Sequence, residues 1–274
     1  MKKINRRAKA VVLTALMALL LIAVYAFGIF IPETAYAPSF LHTKLPPSWE
    51  HPFGTDSLGR DLLMRTLKGM SVSMTVGLVA SVISAVIAVF VGIAAATGSK
   101  WVDALINWMI DLGMGVPHTI LVILISFAFG RGLKGLLIGI AATHWCSLAR
   151  LIRSEVLQLK ATQYVAVSRK LGKSSGWILV HHLLPHLVPQ FFVGLVLMFP
   201  HAILHEASVS FLGYGLPPEQ PAIGMILSES MKYISAGMWW TAVFPGLVQV
   251  LIVLLVDRLG DNLRMIIDPH SAQE

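Results

Sequence analysis

The chain has 274 residues, of which 56% are hydrophobic and only 13% are charged, and its mean hydropathy is +0.74. An ordinary soluble domain carries about 25% charged residues, so this composition, spread over several long apolar runs, indicates an integral membrane protein. The net charge of +7 comes from basic residues beside those runs, which is typical of membrane topology and disfavours nucleic-acid binding. The single cysteine, Cys146, excludes an internal disulfide and a zinc site built on several cysteines.

The N-terminal segment combines a basic stretch with the first apolar run. Residues 1–10 are predicted to be a cytoplasmic N-terminus, and residues 11–31 form an unbroken run that is long enough to span a membrane. A cleaved signal peptide is the alternative, because Ala35-Tyr36-Ala37 resembles a cleavage site. The apolar region of a signal peptide is about 7–15 residues long, shorter than this run, which favours a retained first helix.

Residues 32–71 are predicted to form an extracytoplasmic loop that carries a short amphipathic helix. Prolines punctuate its first part, whereas residues 51–70 place leucines at helical spacing and offer Thr55 or Asp56 as a cap. We expect that helix to lie on the membrane surface. The two Gly-x-Asp groups of this region are interpreted as turn and cap chemistry.

Residues 72–256 form the predicted core, which contains five further spans. Pro117 is expected to kink the third span of the chain, and Pro189 and Pro200 are expected to interrupt the fifth. A loop with a short helix over residues 223–233 joins the last two spans. The predicted spans of the core are 72–98, 105–130, 135–151, 187–212 and 238–256.

The distribution of Lys and Arg predicts the orientation of the chain. With six spans, fourteen of the twenty-one Lys and Arg residues lie on one side, and cytoplasmic loops carry such an excess. We therefore predict an all-α, multi-pass protein of the bacterial inner membrane, with both termini in the cytoplasm. The loop at 160–186 and the tail at 257–274 are then cytoplasmic. The fourteen residues are Lys2, Lys3, Arg6, Arg7, Lys9, Lys100, Arg150, Arg153, Lys160, Arg169, Lys170, Lys173, Arg258 and Arg264.

Two fragments resemble catalytic motifs, and both matches fail. Gly172-Lys173-Ser174 resembles the end of a phosphate-binding loop, but Val167 stands where the first glycine of that motif is needed. His205-Glu206 resembles the start of a zinc-protease motif, but Val209 replaces its second histidine. We therefore predict that the chain is not an enzyme and that any ATP hydrolysis must be supplied by a partner.

A carrier that is coupled to ions, or a channel, remains an alternative that would need no ATP. Asp111, His118 and Glu206 lie in or near the predicted spans. Ionisable groups are costly in lipid, so they are expected to face the interior of the helix bundle, where they could relay protons or bind ions.

The loop at 160–186 contains an amphipathic segment that surrounds a glycine. Apolar residues at helical spacing define one face, Gly172 permits a sharp turn, and Lys173 suits the negative end of the helix dipole. An ordinary amphipathic surface helix is the alternative. The residues predicted to contact a partner are Tyr164, Val165, Val167, Ser168, Leu171, Gly172 and Lys173.

This loop resembles the "EAA" loop of ABC importer permeases. Gly172, the nine residues that separate it from His182, and the Leu184-Pro185 ending match the family pattern, whereas its glutamate and alanines are replaced over residues 166–168. In the family, the loop forms two short helices around the glycine and lies in a groove on the ATPase. The resemblance therefore implies that this segment couples the membrane helices to ATP hydrolysis.

Three further motifs resemble one branch, the dipeptide/oligopeptide/nickel permeases. They are HPFGTDSLGRD at 51–61, SFLGYG at 210–215, and GDNLR at 260–264 followed by Asp268-Pro269. The resemblance is to the second permease subunit of such importers. It implies a second, different permease, two ATP-binding cassette subunits that bind ATP and Mg, and an extracytoplasmic substrate-binding protein. It implies no cofactor on this chain, a lipid membrane as its surroundings, and no nucleic-acid partner.

Histidines in the spans suggest what is carried. His201 and His205 are four residues apart on one helix face and can ligate a divalent metal such as nickel. The chain resembles nickel permeases at this pair and at Thr143-His144-Trp145, so we expect transport of nickel or another transition metal, free or as a chelate. Di- or oligopeptides are the alternative cargo, and the histidines could instead hydrogen-bond neighbouring helices. The predicted pathway residues are His118, His144, His201, His205 and Glu206.

Overall fold

The computed structural model describes the backbone of residues 6–267 and the side chains of residues 10–266. Within those residues all named elements are helical, and the all-α prediction is confirmed. The α-helices are α1 (Arg6–Phe30), α2 (Leu62–Thr97), α3 (Lys100–Gly115), α4 (His118–Ala128), α5 (Gly132–Lys160), α6 (Gln163–Lys170), α7 (Ser175–Ile178), α8 (Leu184–Phe211), α9 (Ile223–Ile234) and α10 (Trp240–Ile267). The ends of the chain, including Asp268-Pro269, lie outside the described residues.

Among the described residues, five helical segments are long and apolar enough to cross a membrane, or up to six if a bent pair of helices counts as one span. The bent pair is α3 and α4, which meet at 102°. The sequence predicted a kinked span over 105–130, but the helix is broken completely. Pro117 has no N–H to donate, and it holds Val116 in an extended conformation (φ −91°, ψ 139°), so the hydrogen-bond ladder stops there.

The predicted amphipathic helix over 51–70 is wrong. Helix begins only at Leu62 and continues without a break to Thr97, so the end of the predicted surface helix is the start of the second span. Asp61 is the cap, since its Oδ1 accepts from the N–H of Met64 at 3.0 Å. The Oδ1 of Asp56 instead accepts from the N–H groups of Leu58 and Arg60, which closes a turn before the helix.

A buried ion network fixes this turn against α9. The Oδ2 of Asp56 lies 2.6 Å from Nε of Arg60 and 3.1 Å from Nη1 of Arg65. Both arginines also reach Oε2 of Glu229, at 2.9 and 2.7 Å. Arg65 is only 3% exposed, and a buried guanidinium is tolerated only when its charge and donors are matched. The interpretation of the Gly-x-Asp groups as turn and cap chemistry is confirmed. The ion network also joins this turn to Glu229, which lies in α9, far along the chain.

The remaining spans are longer than the sequence predicted. α5 extends to Lys160 instead of ending at residue 151, and α10 extends to Ile267, so most of the predicted polar tail is helix. Pro189 and Pro200 lie inside α8, and the helix continues through both of them. The predicted interruption of this span is therefore wrong. A single π-turn over 179–183 joins α7 to α8. The short helix predicted after the fifth span is confirmed as α9.

α2 is the centre of the bundle and packs against α5, α8, α1 and α3. Small residues along it let the neighbouring helices approach closely. Gly92 faces the backbone of Ala149 in α5, and the Oγ of Ser84 donates to the carbonyl of Ala141 at 3.1 Å. α5 and α8 both pack on α2 and contact each other, and the broken pair α3–α4 packs beside α5.

Candidate functional site

The break between α3 and α4 opens a cavity of about 560 Å³. Its walls come from the end of α3, the start of α4, the middle of α5 and the middle of α8. All four histidines that were predicted to lie on the pathway line this cavity. The lining residues are Gly113, Met114, Gly115, Val116, Pro117, His118, Thr143, His144, Cys146, Ser147, Met198, His201 and His205.

Three of these histidines form a compact group, which we call the three-histidine cluster: His118, His144 and His205. One ring nitrogen from each lies within 4.8 Å of the others. The ring centroids of His118 and His144 are 4.5 Å apart, those of His118 and His205 are 4.4 Å apart, and those of His144 and His205 are 5.2 Å apart. Each ring comes from a different helix, so the cluster depends on how α4, α5 and α8 pack.

Hydrogen bonds on α5 orient the cluster. The Nδ1 of His144 lies 3.0 Å from the carbonyl oxygen of Ile140 and 3.2 Å from Nε2 of His118. The hydroxyl of Thr143 lies 3.2 Å from Nε2 of His118 and is itself held by the carbonyl of Gly139 at 3.0 Å. The Nε2 of His144 is buried and has no hydrogen-bond partner among the described residues.

The predicted metal pair, His201 and His205, is only partly reproduced. Both line the cavity, but His205 turns towards His118 and His144, whereas His201 is exposed and outside the cluster. Helical spacing places two side chains on one face, but the partner helices decide which of them meets other ligands. The close approach of residues 118, 144 and 205 had no local signal in the sequence.

The two predicted carboxylates do not line the cavity. Glu206 is fully buried behind it, where the hydroxyl of Ser210 donates to its Oε1 at 2.8 Å. Asp111 faces outward instead of into the bundle, and its Oδ1 accepts from Nη2 of Arg150 at 2.6 Å, with both side chains substantially exposed. The ion pair with Arg150 offsets the charge of Asp111 at this exposed position.

The predicted coupling loop forms two short helices around a glycine. α6 ends at Lys170, Gly172 adopts a φ of +77°, and α7 starts after Ser174, whose hydroxyl accepts from the N–H of Trp177. No atom would lie within 4 Å of a Cβ at Gly172, so the requirement for glycine comes from the backbone conformation and not from space.

The apolar face predicted over 164–171 is divided between two surfaces. Val165 is fully buried in the core with Ile152, Val156 and Ile178, so it cannot contact a separate partner. Tyr164, Val167 and Leu171 are exposed, Leu171 at 73%. Ser168 is half-buried, and its Oγ lies 2.9 Å from Nε2 of His182. Leu171, Gly172 and Lys173 form the exposed end of the loop.

The sequence missed an aromatic group beside this loop. The ring of Trp177 stacks on His181 with centroids 4.3 Å apart, and the Nζ of Lys173 lies 4.9 Å from the centre of the Trp177 ring. Tyr164 meets His182 edge to face. These contacts join α6 to α7 and make one exposed surface with apolar, aromatic and basic character, which we call the coupling surface.

The chain belongs to the family of binding-protein-dependent transport system inner membrane components, whose pattern matches residues 88–267. The family consists of ABC importer permeases, so this chain is a multi-pass protein of the inner membrane, as its composition predicted.

Curated relatives cover most of the chain. A peptide transport system permease protein of Brucella abortus is 38% identical over 229 residues, which are 84% of this chain and 77% of the relative. A peptide permease protein of Brucella suis is 34% identical, over 93% of this chain and 85% of the relative. The dipeptide permease DppC of Bacillus subtilis is 33% identical, over 87% of this chain and 74% of the relative. These names favour the peptide alternative over nickel.

A solved structure has a similar fold. The MetNI methionine ABC transporter, in an inward-facing conformation, contains a chain that superposes with a TM-score of 0.61. The alignment covers 76% of this chain and 98% of that one, at 17% identity. At this level of identity the likeness concerns the fold of the permease and not its cargo.

Proposed function

We propose that the chain is one of two different permease subunits of an ABC importer and that it forms half of the translocation pathway for di- or oligopeptides. The observation that carries this proposal is the set of relatives named peptide or dipeptide permeases, which align along most of the chain. The cavity beside the α3–α4 break is the segment of the pathway that this subunit supplies.

The energy for transport comes from separate subunits. The coupling surface around Gly172 supports this assignment, because it is exposed, partly apolar and built on two short helices as the family resemblance implies. Two ATP-binding cassette subunits bind ATP and Mg, a second permease completes the pathway, and an extracytoplasmic binding protein delivers the cargo. The excess of Lys and Arg on the side of this loop supports a cytoplasmic location for it.

A second candidate cargo is nickel or another transition metal, free or as a chelate. The three-histidine cluster in the cavity favours it, because imidazole nitrogens suit such metals. The names of the relatives give this candidate no support. An ion-coupled carrier that uses no ATP is the third candidate, and it differs from the others in its energy source.

Uptake and co-purification together test the proposal. In a strain lacking this chain, we expect a plasmid copy to restore uptake of a labelled dipeptide, and we expect depletion of ATP to abolish that uptake. A tag on the chain should co-purify a second permease and an ATP-binding subunit. Competition with unlabelled dipeptide and with nickel chloride ranks the two cargo classes.

A stable homodimer that transports cargo without an ATP-binding subunit would overturn the proposal. Uptake that collapses with the membrane ion gradient while ATP is maintained would favour the ion-coupled carrier. Restored uptake of nickel with no uptake of dipeptide would replace the first cargo by the second.

A further inference from the structure

We propose that the three-histidine cluster is a binding site for a divalent transition-metal ion, held by imidazole nitrogens of His118, His144 and His205. The inference rests on the proposed function only in placing the site on a transport pathway. The chemistry of the site follows from the cluster itself.

The spacing of the rings is close to that of a coordinated ion. Imidazole nitrogens bind zinc at about 2.0–2.1 Å, so three nitrogens on one ion lie about 3–4 Å apart. The three nitrogens lie within 4.8 Å of one another, so rotations of the side chains that move each nitrogen by roughly 1 Å would bring them to that spacing. His118 and His205 are only partly buried and border the cavity, which leaves room for such rotations.

The hydrogen bonds of His144 prepare it to act as a ligand. A carbonyl oxygen only accepts, so the contact of 3.0 Å with Ile140 assigns the proton to Nδ1 of His144. The lone pair is then on Nε2, which is the buried atom without a hydrogen-bond partner among the described residues. Histidines that ligate metals usually donate their other N–H to a carbonyl or a carboxylate in this way, and the bond fixes both tautomer and ring orientation.

The type of ligand selects the type of ion. Imidazole suits Ni²⁺, Co²⁺, Cu²⁺ and Zn²⁺, whereas Mg²⁺ and Ca²⁺ prefer oxygen ligands, and no Asp or Glu lines the cavity among the described residues. Three neutral ligands without a carboxylate bind an ion less tightly than a closed structural site with four protein ligands.

Three protein ligands also leave coordination positions open. A structural metal site is closed by four protein ligands, whereas a three-ligand site keeps a position for another molecule. The cavity of about 560 Å³ has space for that molecule beside the cluster. Oxygen and nitrogen donors of a small chelator would fill the open positions.

Binding of Co²⁺ to the purified protein tests the site without measuring transport. The complex is purified through a tag on this chain that contains no histidine, and it is titrated with cobalt chloride and, separately, with nickel chloride. Visible absorption of Co²⁺ reports coordination by nitrogen, and equilibrium dialysis gives stoichiometry. We expect one ion per chain and a Co²⁺ absorption that is more intense and lies at longer wavelength than that of the aqueous ion, as a site with three imidazoles and an open position gives.

Glutamine substitutions provide matched variants. We expect His144→Gln and His205→Gln each to weaken Co²⁺ binding at least tenfold, since even a second-shell partner of a ligand is worth about 10–100-fold. His186→Gln changes an exposed histidine outside the cavity and should leave binding within twofold of the unaltered protein. Monodisperse elution of each variant on gel filtration shows that it is folded.

Two results would overturn the inference: no Co²⁺ or Ni²⁺ binding by folded protein, or binding that survives both substitutions together. Co-purification of the ATP-binding subunit is scored on the same samples. Absence of metal binding by the unaltered protein with that subunit present contradicts the metal site alone, whereas absence of the subunit contradicts the proposed function.

Discussion

At the scale of single residues, Gly172 makes a turn whose requirement for glycine comes from the backbone and not from its neighbours. Its φ of +77° lies in the left-handed region, where a side chain is strained and where proline, fixed near −65°, cannot fit. Its N–H also donates to the carbonyl of Arg169 at 3.0 Å, a bond that proline would remove. The turn therefore sets the angle between α6 and α7 on the coupling surface.

We predict that Gly172→Pro uncouples ATP hydrolysis from uptake and leaves insertion into the membrane intact, because the turn is exposed and lies outside the candidate spans. Ser175→Pro is the matched control. Ser175 is the first residue of α7 and follows Ser174 in an extended conformation, where proline is tolerated. ATPase activity and dipeptide uptake are measured on both variants in vesicles.

Uptake by Gly172→Pro at the rate of the unaltered chain would contradict the role of the turn. Equal loss in both proline variants would assign the effect to general disturbance of the loop.

At the scale of single elements, the packing of α2 against α5 depends on small side chains. A Cβ at Gly92 would lie 2.7 Å from the carbonyl oxygen of Ala149 and 2.9 Å from Cβ of Ile152. Backbone atoms cannot retreat as the tip of a flexible side chain can, so any larger residue forces the helices apart. α5 carries His144, and the cavity therefore depends on this contact.

We predict that Gly92→Val destabilises the protein by about 1–3 kcal/mol, the usual cost of overpacking a core. Gly246→Val is its control, since a Cβ there would meet only Leu227, at 3.9 Å. Both variants place the same side chain in a membrane helix. Thermal unfolding in detergent, followed by loss of monodispersity, should show a lower transition for Gly92→Val alone. Equal transitions would show that α2 and α5 adjust without cost.

At the scale of the whole molecule, the chain presents two different surfaces at its polar ends. One contains the loop before α2, held to α9 by the network of Asp56, Arg65 and Glu229. The other contains the coupling surface around Leu171. The pattern of Lys and Arg assigns the first to the outside and the second to the cytoplasm.

Labelling of single cysteines tests this orientation. The native Cys146 is buried, so it contributes little background. In intact spheroplasts we expect a membrane-impermeant maleimide to label Trp49→Cys and not Leu171→Cys, because both positions are exposed and the predicted topology places them on opposite sides of the membrane. Lysis in detergent should make Leu171→Cys reactive as well. The reverse pattern before lysis would invert the topology.

The sequence alone determined the class of the protein, the approximate spans and the position of the loop that turns at Gly172. These depend on local properties: apolar runs long enough to cross a membrane, a proline that ends a hydrogen-bond ladder, and a glycine at a turn. The start of α2 was predicted wrongly. The sequence pointed to Thr55 or Asp56 as the cap, but Asp56 pairs with Arg60 and Arg65, and Asp61 caps α2.

Only the tertiary structure decided which side chains meet. His118, His144 and His205 belong to three helices, and their approach depends on the break at Pro117 and on the packing of α5 and α8. Likewise, periodicity placed Val165 and Val167 together, but the core against α6 buries Val165 and leaves Val167 exposed. Spacing along a helix defines a face, whereas what that face contacts depends on residues that are distant in sequence.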